Sequence, residues 1–271
     1  MGGRLEADTS RDADEIVAIR AAIAAGITHI DTAEHYGNGH AEELLGRAIQ
    51  DYDRQKLCIA SKVWPTNQSY DGVLRACEQS LRRIGTNYLD IYLLHFYPAA
   101  GLPIAETMKA MDKLVDQGIV KNIGVCNLSP RRFDEVQKYT ANKLVCNQLH
   151  YNVQYREVES RGLLPYMRHK DSLLVAYRPV QKGTLPIAPI LIELAKKYQK
   201  TPIQIAINWL VSQDQVVTIC KTSSLSHLQE NLGAVDWTME PADVERIRKE
   251  FPDQKTVSDS VPLDYEADIP V

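Results

Sequence analysis

Short apolar runs alternate with longer amphipathic segments along almost the whole chain, and this alternation constrains the fold more than any other feature. Seven runs have the length and composition of buried strands: GITHID, KLCIASKVW, YLDIYLLH, NIGVCN, KLVCNQLHYN, LLVAYRP and VVTICK. Helical patterns lie between them: AEELLGRAIQ, YDGVLRACEQSLRRIG, IAETMKAMDKLVDQG, SPRRFDEVQKY, EVESRGLLPYMRH and SLSHLQENLGAV. Strands that alternate with helices in this way predict an α/β fold with a parallel sheet.

The spacing of the strand ends favours a closed barrel over an open sheet. Asp31, His95 and Asn127 end the first, third and fourth runs, and Lys62 lies near the end of the second, so these four positions are about 32 residues apart. Regular units without a reversal of strand order predict a (β/α)8 TIM-type barrel. No linker-like stretch divides the chain, so we expect a single domain over residues 1–271.

Counting strands raises a difficulty for the barrel. Only seven runs are visible, and the first is preceded by a helical pattern, DADEIVAIRAAIAAG, and by the polar stretch MGGRLEADTS. The first barrel strand is therefore expected to be absent from this chain. Either the chain starts after that strand, or the barrel is closed in some other way.

Charge and composition limit the partners. Lysine and arginine number 31 against 35 aspartates and glutamates, a formal net charge of -4 that gives no long-range attraction to nucleic acid. No apolar run approaches the roughly 18 to 20 residues of a membrane helix, and the N-terminus has no signal-peptide pattern. We expect a soluble, cytoplasmic protein whose five cysteines, none in a CxxC pair, are reduced core thiols.

Three consecutive strand ends carry chemically useful side chains. Asp31, Lys62 and His95 would project into one mouth of the barrel, and Tyr36 follows the first of them by five residues. Each alone has an ordinary explanation, as a cap, a solvated lysine or a core histidine. Together they predict a site that polarises a carbonyl group: Lys62 would lower the pKa of Tyr36 from about 10, Asp31 would hold Lys62, and His95 would orient the carbonyl oxygen.

Two other patterns suggest sites but have simpler explanations. GNGHAE resembles a dinucleotide fingerprint, yet Glu42 stands where the third glycine belongs, so Gly37 and Gly39 are interpreted as turn residues. His29, His35 and His40 do not form a metal-ligand spacing, and we expect no metal.

The segment KTSS follows the last strand and opens a helix. Its lysine, hydroxyls and free backbone N–H groups suit a phosphate, and the alternative is an ordinary Ser/Thr helix cap.

In several stretches, including those that carry Asp31, Tyr36, Lys62 and His95, the sequence resembles the aldo-keto reductases. The matching stretches are GITHIDTAEHYGN, IASKVW, DIYLLHFYP, IGVCN, CNQLHYN, VAYRPV and TICKTSSLSHLQEN, and the resemblance runs from about residue 12 to the C-terminus. It implies a barrel that binds NADPH, with NADH possible, and passes a hydride to an aldehyde or ketone while Tyr36 donates the proton. Trp64 and Phe96 would line the substrate pocket. The residues implied to bind the cofactor are Cys126, Asn127, Gln148, Tyr177, Arg178, Lys221, Thr222, Ser223, His227, Glu230 and Asn231.

Within that set the resemblance implies individual roles. Asn127 and Gln148 would hold the nicotinamide carboxamide, Tyr177 would stack on the ring, and Lys221 would contact the 2′-phosphate. His227 stands where the family usually has an arginine, which would weaken the preference for NADPH over NADH. Cys126 stands where a serine often contacts the carboxamide.

Two alternatives stay open. A Schiff-base lyase would also use a strand-end lysine such as Lys62 in a barrel. A catalytically silent cofactor-binding barrel is the other. The sequence names neither the substrate nor the oligomeric state.

Overall fold

The computed structural model describes residues 1–263 of the 271, and they form two compact units, residues 1–145 and residues 146–263. The prediction of a single domain stays a prediction. None of the helices within residues 1–263 combines the length and the apolar character needed to cross a membrane.

The first unit alternates strands and helices as the sequence predicts. Its strands are β1 (His29–Asp31), β2 (Cys58–Val63), β3 (Leu89–Leu94) and β4 (Val120–Cys126). Its helices are α1 (Asp12–Ala24), α2 (His40–Ile49), α3 (Tyr70–Ile84), α4 (Ile104–Asp116) and α5 (Pro130–Gln137). The strands pair in parallel in chain order, with Asp31 beside Ala60 and Lys62 beside Leu93. This register brings the C-terminal ends of β1, β2 and β3 to one edge.

Local chemistry sets the helix boundaries. The Ser69 hydroxyl accepts a hydrogen bond from the Gly72 N–H at the start of α3, and Gly85 ends this helix with a left-handed φ of 72°. Ser129 caps α5 and is followed by Pro130 at the first helical position.

The N-terminal residues lie against the turn that follows β1. The Gly2 N–H donates to Glu15 Oε2 over 2.6 Å, and the Gly37 N–H donates to the Arg4 carbonyl over 3.2 Å. Gly37 has a φ of 57°, and a Cβ there would lie 2.0 Å from the Gly2 carbonyl oxygen, so the turn requires glycine. Residues 1–28 contain no strand, as predicted, and Gly37 and Gly39 are turn residues.

The second unit contains β6 (Leu173–Tyr177), β7 (Val216–Ile219) and, from Cys146 onward, most of β5 (Leu144–His150). These three strands pair in parallel. Its helices are α6 (Glu157–Ser160), α7 (Leu163–His169), α8 (Pro189–Tyr198), α9 (Pro202–Val211), α10 (Leu225–Leu232) and α11 (Pro241–Glu250). The predicted helix EVESRGLLPYMRH is two helices, because Gly162 adopts a left-handed φ of 67° between them.

The cysteine prediction was correct only in part. All five thiols are free, and Cys77, Cys126 and Cys146 are buried. Cys58 is half-buried and Cys220 is exposed.

Candidate active site

Lys62 lies at the centre of the cluster predicted from the first three strand ends. Its side chain has no exposed surface, and its Nζ donates to Asp31 Oδ2 over 2.5 Å, to the Thr32 carbonyl over 2.9 Å and to the Tyr36 hydroxyl oxygen over 3.3 Å. The parallel register of β1 and β2 places Lys62 two residues beyond the partner of Asp31. The structure therefore brings Asp31, Tyr36 and Lys62 together as the sequence predicts.

The electrostatics of Tyr36 differ from the prediction. Burial raises the pKa of the Tyr36 hydroxyl, and although the Lys62 ammonium acts in the opposite direction, the net pKa lies above the ordinary value of 10. Lys62 therefore acts on the Tyr36 pKa in the predicted direction, but the effect of burial is larger. Tyr36 is thus fully protonated at neutral pH, and because its oxygen accepts from Lys62, its own hydrogen is left to donate elsewhere.

Lys62 itself is held as a cation. Burial acts to lower the pKa of its amine, but the Asp31 carboxylate and the Tyr36 hydroxyl outweigh that effect and raise the pKa above 10.5. A buried ammonium beside a carboxylate is a fixed positive charge at neutral pH.

His95 follows β3 and lies close to Tyr36, with the two ring centroids 5.5 Å apart and nearly perpendicular. Burial, with the Lys62 charge as a smaller contribution, lowers the pKa of His95 well below 6.5, so the imidazole is neutral and has one N–H to donate. Asn127 lies beside it, since the Asn127 Nδ2 donates to the His95 carbonyl over 3.1 Å.

Aromatic rings surround the position in front of His95. The Trp64 ring is perpendicular to the His95 ring at 5.1 Å, and the Phe96 ring is 5.2 Å from His95 and 5.5 Å from Trp64. His35 stacks on Trp64 with a centroid separation of 3.6 Å and an angle of 5°. These rings form an apolar wall that suits a small organic substrate.

Sequence reasoning missed two residues near this wall, His35 and Glu34. His35 was considered only as a metal ligand, although its position directly before Tyr36 was a signal that it lies at the same site. Glu34 accepts hydrogen bonds from the Trp64 N–H over 2.6 Å and from Asn67 Nδ2 over 3.1 Å, and so fixes the Trp64 backbone. Burial raises the pKa of the Glu34 carboxyl.

The second unit holds the predicted cofactor residues that follow β5, β6 and β7. Gln148 is buried in β5, and Tyr177 ends β6 with its ring parallel to that of His150 at 5.4 Å. Arg178 follows with a left-handed φ of 56°, and its Nη1 donates to the Ser260 hydroxyl over 2.7 Å.

The predicted phosphate residues precede or begin α10. Lys221 is exposed, Thr222 and Ser223 are partly exposed, and the Thr222 hydroxyl donates to the Ser224 carbonyl over 3.3 Å. The helix cap is the next residue, Ser224, whose hydroxyl accepts from the His227 N–H over 3.4 Å. The KTSS segment therefore supplies both a cap and additional donors. Glu230 and Asn231 lie on the same helix.

The donor sets fit a nicotinamide dinucleotide. In the first unit, the Asn127 amide suits a carboxamide. In the second unit, the Gln148 amide also suits a carboxamide, the Tyr177 ring suits stacking on a flat heterocycle, and a cation with hydroxyls at a helix N-terminus suits a phosphate.

Comparison with known proteins supports this chemistry. Residues 2–250 match the model of the Aldo/keto reductase family. The chain is similar to the methylglyoxal reductase YeaE of Escherichia coli (strain K12), with 34% identity over 255 residues that cover 92% of this chain and 88% of the relative.

Solved structures agree. A thermostable aldo-keto reductase, Tm1743, in complex with the inhibitor epalrestat has a TM-score of 0.88 and 39% identity, covering 91% of this chain and 90% of that one. An aldo-keto reductase from Klebsiella pneumoniae in complex with NADPH has a TM-score of 0.83 and 31% identity, covering 97% and 90%. These matches confirm the predicted (β/α)8 barrel class.

Proposed function

We infer that this chain, which belongs to the aldo/keto reductase family, catalyses the NAD(P)H-dependent reduction of small carbonyl compounds, and we propose that Tyr36 is its proton donor. One observation carries the assignment of roles. The buried Lys62 ammonium contacts both the Asp31 carboxylate, at 2.5 Å, and the Tyr36 hydroxyl oxygen, at 3.3 Å. This arrangement stabilises negative charge on the Tyr36 oxygen at the moment its proton leaves.

A nicotinamide held by these residues would supply the hydride for the carbonyl carbon. Tyr36 donates its proton to the carbonyl oxygen, which completes the alcohol, and recovers a proton from solvent. Lys62 strengthens its hydrogen bond to the Tyr36 oxygen as that oxygen becomes negative. Asp31 keeps Lys62 charged, and the neutral His95 imidazole donates its N–H to the carbonyl oxygen and orients it.

We propose that Trp64 and Phe96 hold the substrate, with His35 against Trp64. Asn127, Gln148 and Tyr177 would bind the nicotinamide end of the cofactor. The remaining residues assigned to the cofactor are Cys126, Arg178, Lys221, Thr222, Ser223, His227, Glu230 and Asn231.

A Schiff-base lyase fits less well. Imine formation needs a neutral, accessible amine, whereas Lys62 has no exposed surface, donates to three acceptors and has a raised pKa. A silent cofactor-binding protein would gain nothing from a buried lysine beside a tyrosine, since a buried ion pair adds little stability.

We also propose a cytoplasmic location. The five cysteines are all free, which is typical of proteins in a reducing compartment. Subcellular fractionation of the tagged protein tests this proposal.

Replacement of Tyr36 by Phe tests the proton donor. Without the hydroxyl, NADPH-dependent reduction of simple aldehydes should fall by roughly 100-fold or more. NADPH affinity, measured by nicotinamide fluorescence, should change less than about twofold, because a single hydroxyl contributes little to cofactor binding.

The matched control is Tyr52→Phe, which removes a hydroxyl that donates to the Arg20 carbonyl at 3.3 Å and should leave turnover unchanged. Turnover of Tyr36→Phe at the wild-type rate would remove Tyr36 as the acid.

A further inference from the structure

A buried carboxylate fixes residues 258–263, which we name the C-terminal segment. Glu157 is only 2% exposed, and its two oxygens accept from the backbone N–H groups of Ser258 over 2.8 Å and Leu263 over 3.0 Å. Charge-assisted hydrogen bonds to buried amides are among the stronger ones in proteins. The segment is therefore anchored at both of its ends to α6.

The first residues of the segment contact His150, the last residue of β5, directly and through Gln181. Gln181 Nε2 donates to Asp259 Oδ2 over 3.0 Å, so Gln181 Oε1 faces His150 Nε2, which lies 2.9 Å away and must carry the hydrogen. His150 Nδ1 then accepts from the Ser258 hydroxyl over 2.8 Å. The segment thus fixes both the tautomer and the rotation of the His150 ring.

The His150 ring is stacked against two tyrosines. The Tyr177 ring is 5.4 Å away at an angle of 9°, and the Tyr155 ring is 4.5 Å away at 25°. Tyr155 is itself tied to the segment, because its hydroxyl donates to Asp259 Oδ2 over 2.9 Å. A near-parallel partner of this kind restricts the plane in which the Tyr177 ring can lie.

We propose that His150 is a positioning residue that sets the plane of the Tyr177 ring for the nicotinamide, and that Ser258 and Asp259 in turn hold His150. The proposal rests on the role given to Tyr177 under the proposed function. The C-terminal segment would then contribute to cofactor binding through His150 and Tyr177. Loss of the segment's hold then weakens nicotinamide binding without any change at the phosphate end.

The test compares the binding of NADPH with that of adenosine 2′,5′-bisphosphate, which has phosphates but no nicotinamide, by calorimetry on the full chain. His150→Leu removes both the ring and the hydrogen bonds, and should weaken NADPH about three- to tenfold, the size of one lost aromatic pair. His150→Phe keeps a ring and Ser258→Ala keeps the stacked rings, so each should weaken NADPH binding only about two- to threefold. The bisphosphate should bind all variants equally.

Val257→Ala is the matched control, because this exposed side chain adjoins the segment and should leave both affinities unchanged. A purely structural role for His150 would weaken the bisphosphate along with NADPH, and would overturn the proposal.

Tyr177→Leu separates the two levels of inference. If it weakens NADPH and His150→Leu does not, His150 has no positioning role and the proposed function stands. If Tyr177→Leu leaves NADPH binding unchanged, the assignment of Tyr177 fails, and the proposal fails with it.

Discussion

Neutralising Asp31 should destabilise the protein in a way that depends on pH. In Asp31→Asn the Lys62 amine stays fully buried but loses its carboxylate partner at 2.5 Å. The attraction between the two charges is roughly 7 kcal/mol at an effective dielectric constant of about 20. The loss of unfolding free energy is smaller, because the amine can give up its proton instead.

The free energy of deprotonating Lys62 sets an upper limit on the loss of stability. Deprotonating an amine of ordinary pKa 10.5 costs about 1.4 kcal/mol per pH unit below 10.5, or about 5 kcal/mol at pH 7. We therefore expect Asp31→Asn to lose about 3 to 5 kcal/mol at pH 7. Burial without Asp31 lowers the folded-state pKa of Lys62 below its unfolded value, so the unfolded chain binds the extra proton. The deficit should accordingly shrink by up to about 1.4 kcal/mol per unit as pH rises from 7 to 9.

Urea unfolding followed by circular dichroism at pH 7, 8 and 9 measures the effect. The double variant Asp31→Asn/Lys62→Met removes both charges and should be within about 1 kcal/mol of wild type, yet have no reductase activity. Glu78→Gln is the control, since it breaks an exposed pair with Arg82 and should show no pH-dependent deficit. A deficit that is flat in pH, together with a double variant no more stable than the single one, would refute the reasoning.

Three further predictions concern the cofactor residues and His150. Lys221→Ala should weaken NADPH roughly tenfold and NADH hardly at all, because only NADPH carries the 2′-phosphate; equal losses by fluorescence titration would exclude a phosphate contact. His227→Arg should lower the Kd for NADPH, since a guanidinium is always charged and binds phosphate with two donors; an unchanged Kd would contradict this role. Burial lowers the pKa of His150 to about 4, so only the unfolded chain protonates it below about pH 6.5. The free energy of unfolding should therefore fall as pH drops from 6.5 toward 4, and His150→Phe should show a slope smaller by up to about 1.4 kcal/mol per unit in urea titrations; identical slopes would count against a neutral, buried imidazole.

Strand periodicity predicted the framework of the candidate active site well. Every predicted strand run overlaps an observed strand, because fully buried parallel strands are short apolar runs bounded by turn residues. Since parallel strands end at one edge, spacing alone predicted that Lys62 meets Asp31 and Tyr36, and the structure confirms both contacts.

Helices with weak amphipathic contrast were harder to predict. The sequence analysis did not identify α8, α9 or α11. The α9 sequence, PIQIAINWLV, is apolar on nearly all sides, so it lacks the polar stripe that periodicity detects. Its clearest signal was local: Thr201 and Gln204 form a capping box before the apolar run.

The sign of the Tyr36 pKa shift could not be predicted from the motif. A motif specifies which charge lies near the hydroxyl, and Lys62 does lower the pKa as expected. The extent of burial depends on packing by neighbouring elements, and burial is the larger effect here. His35 was missed for a related reason, since its partner Trp64 comes from another strand end.

The hydrogen bonds between Glu157 and the main chain affect how the sequence of the C-terminal segment can change during evolution. The Glu157 carboxylate accepts from the backbone amides at positions 258 and 263, so these two hydrogen bonds depend on the main chain, and a proline at either site would remove one of them. Val261 and Pro262, which lie between them, can drift during evolution without releasing the loop. Lineages could thus vary this stretch of surface while its course along the protein is inherited unchanged.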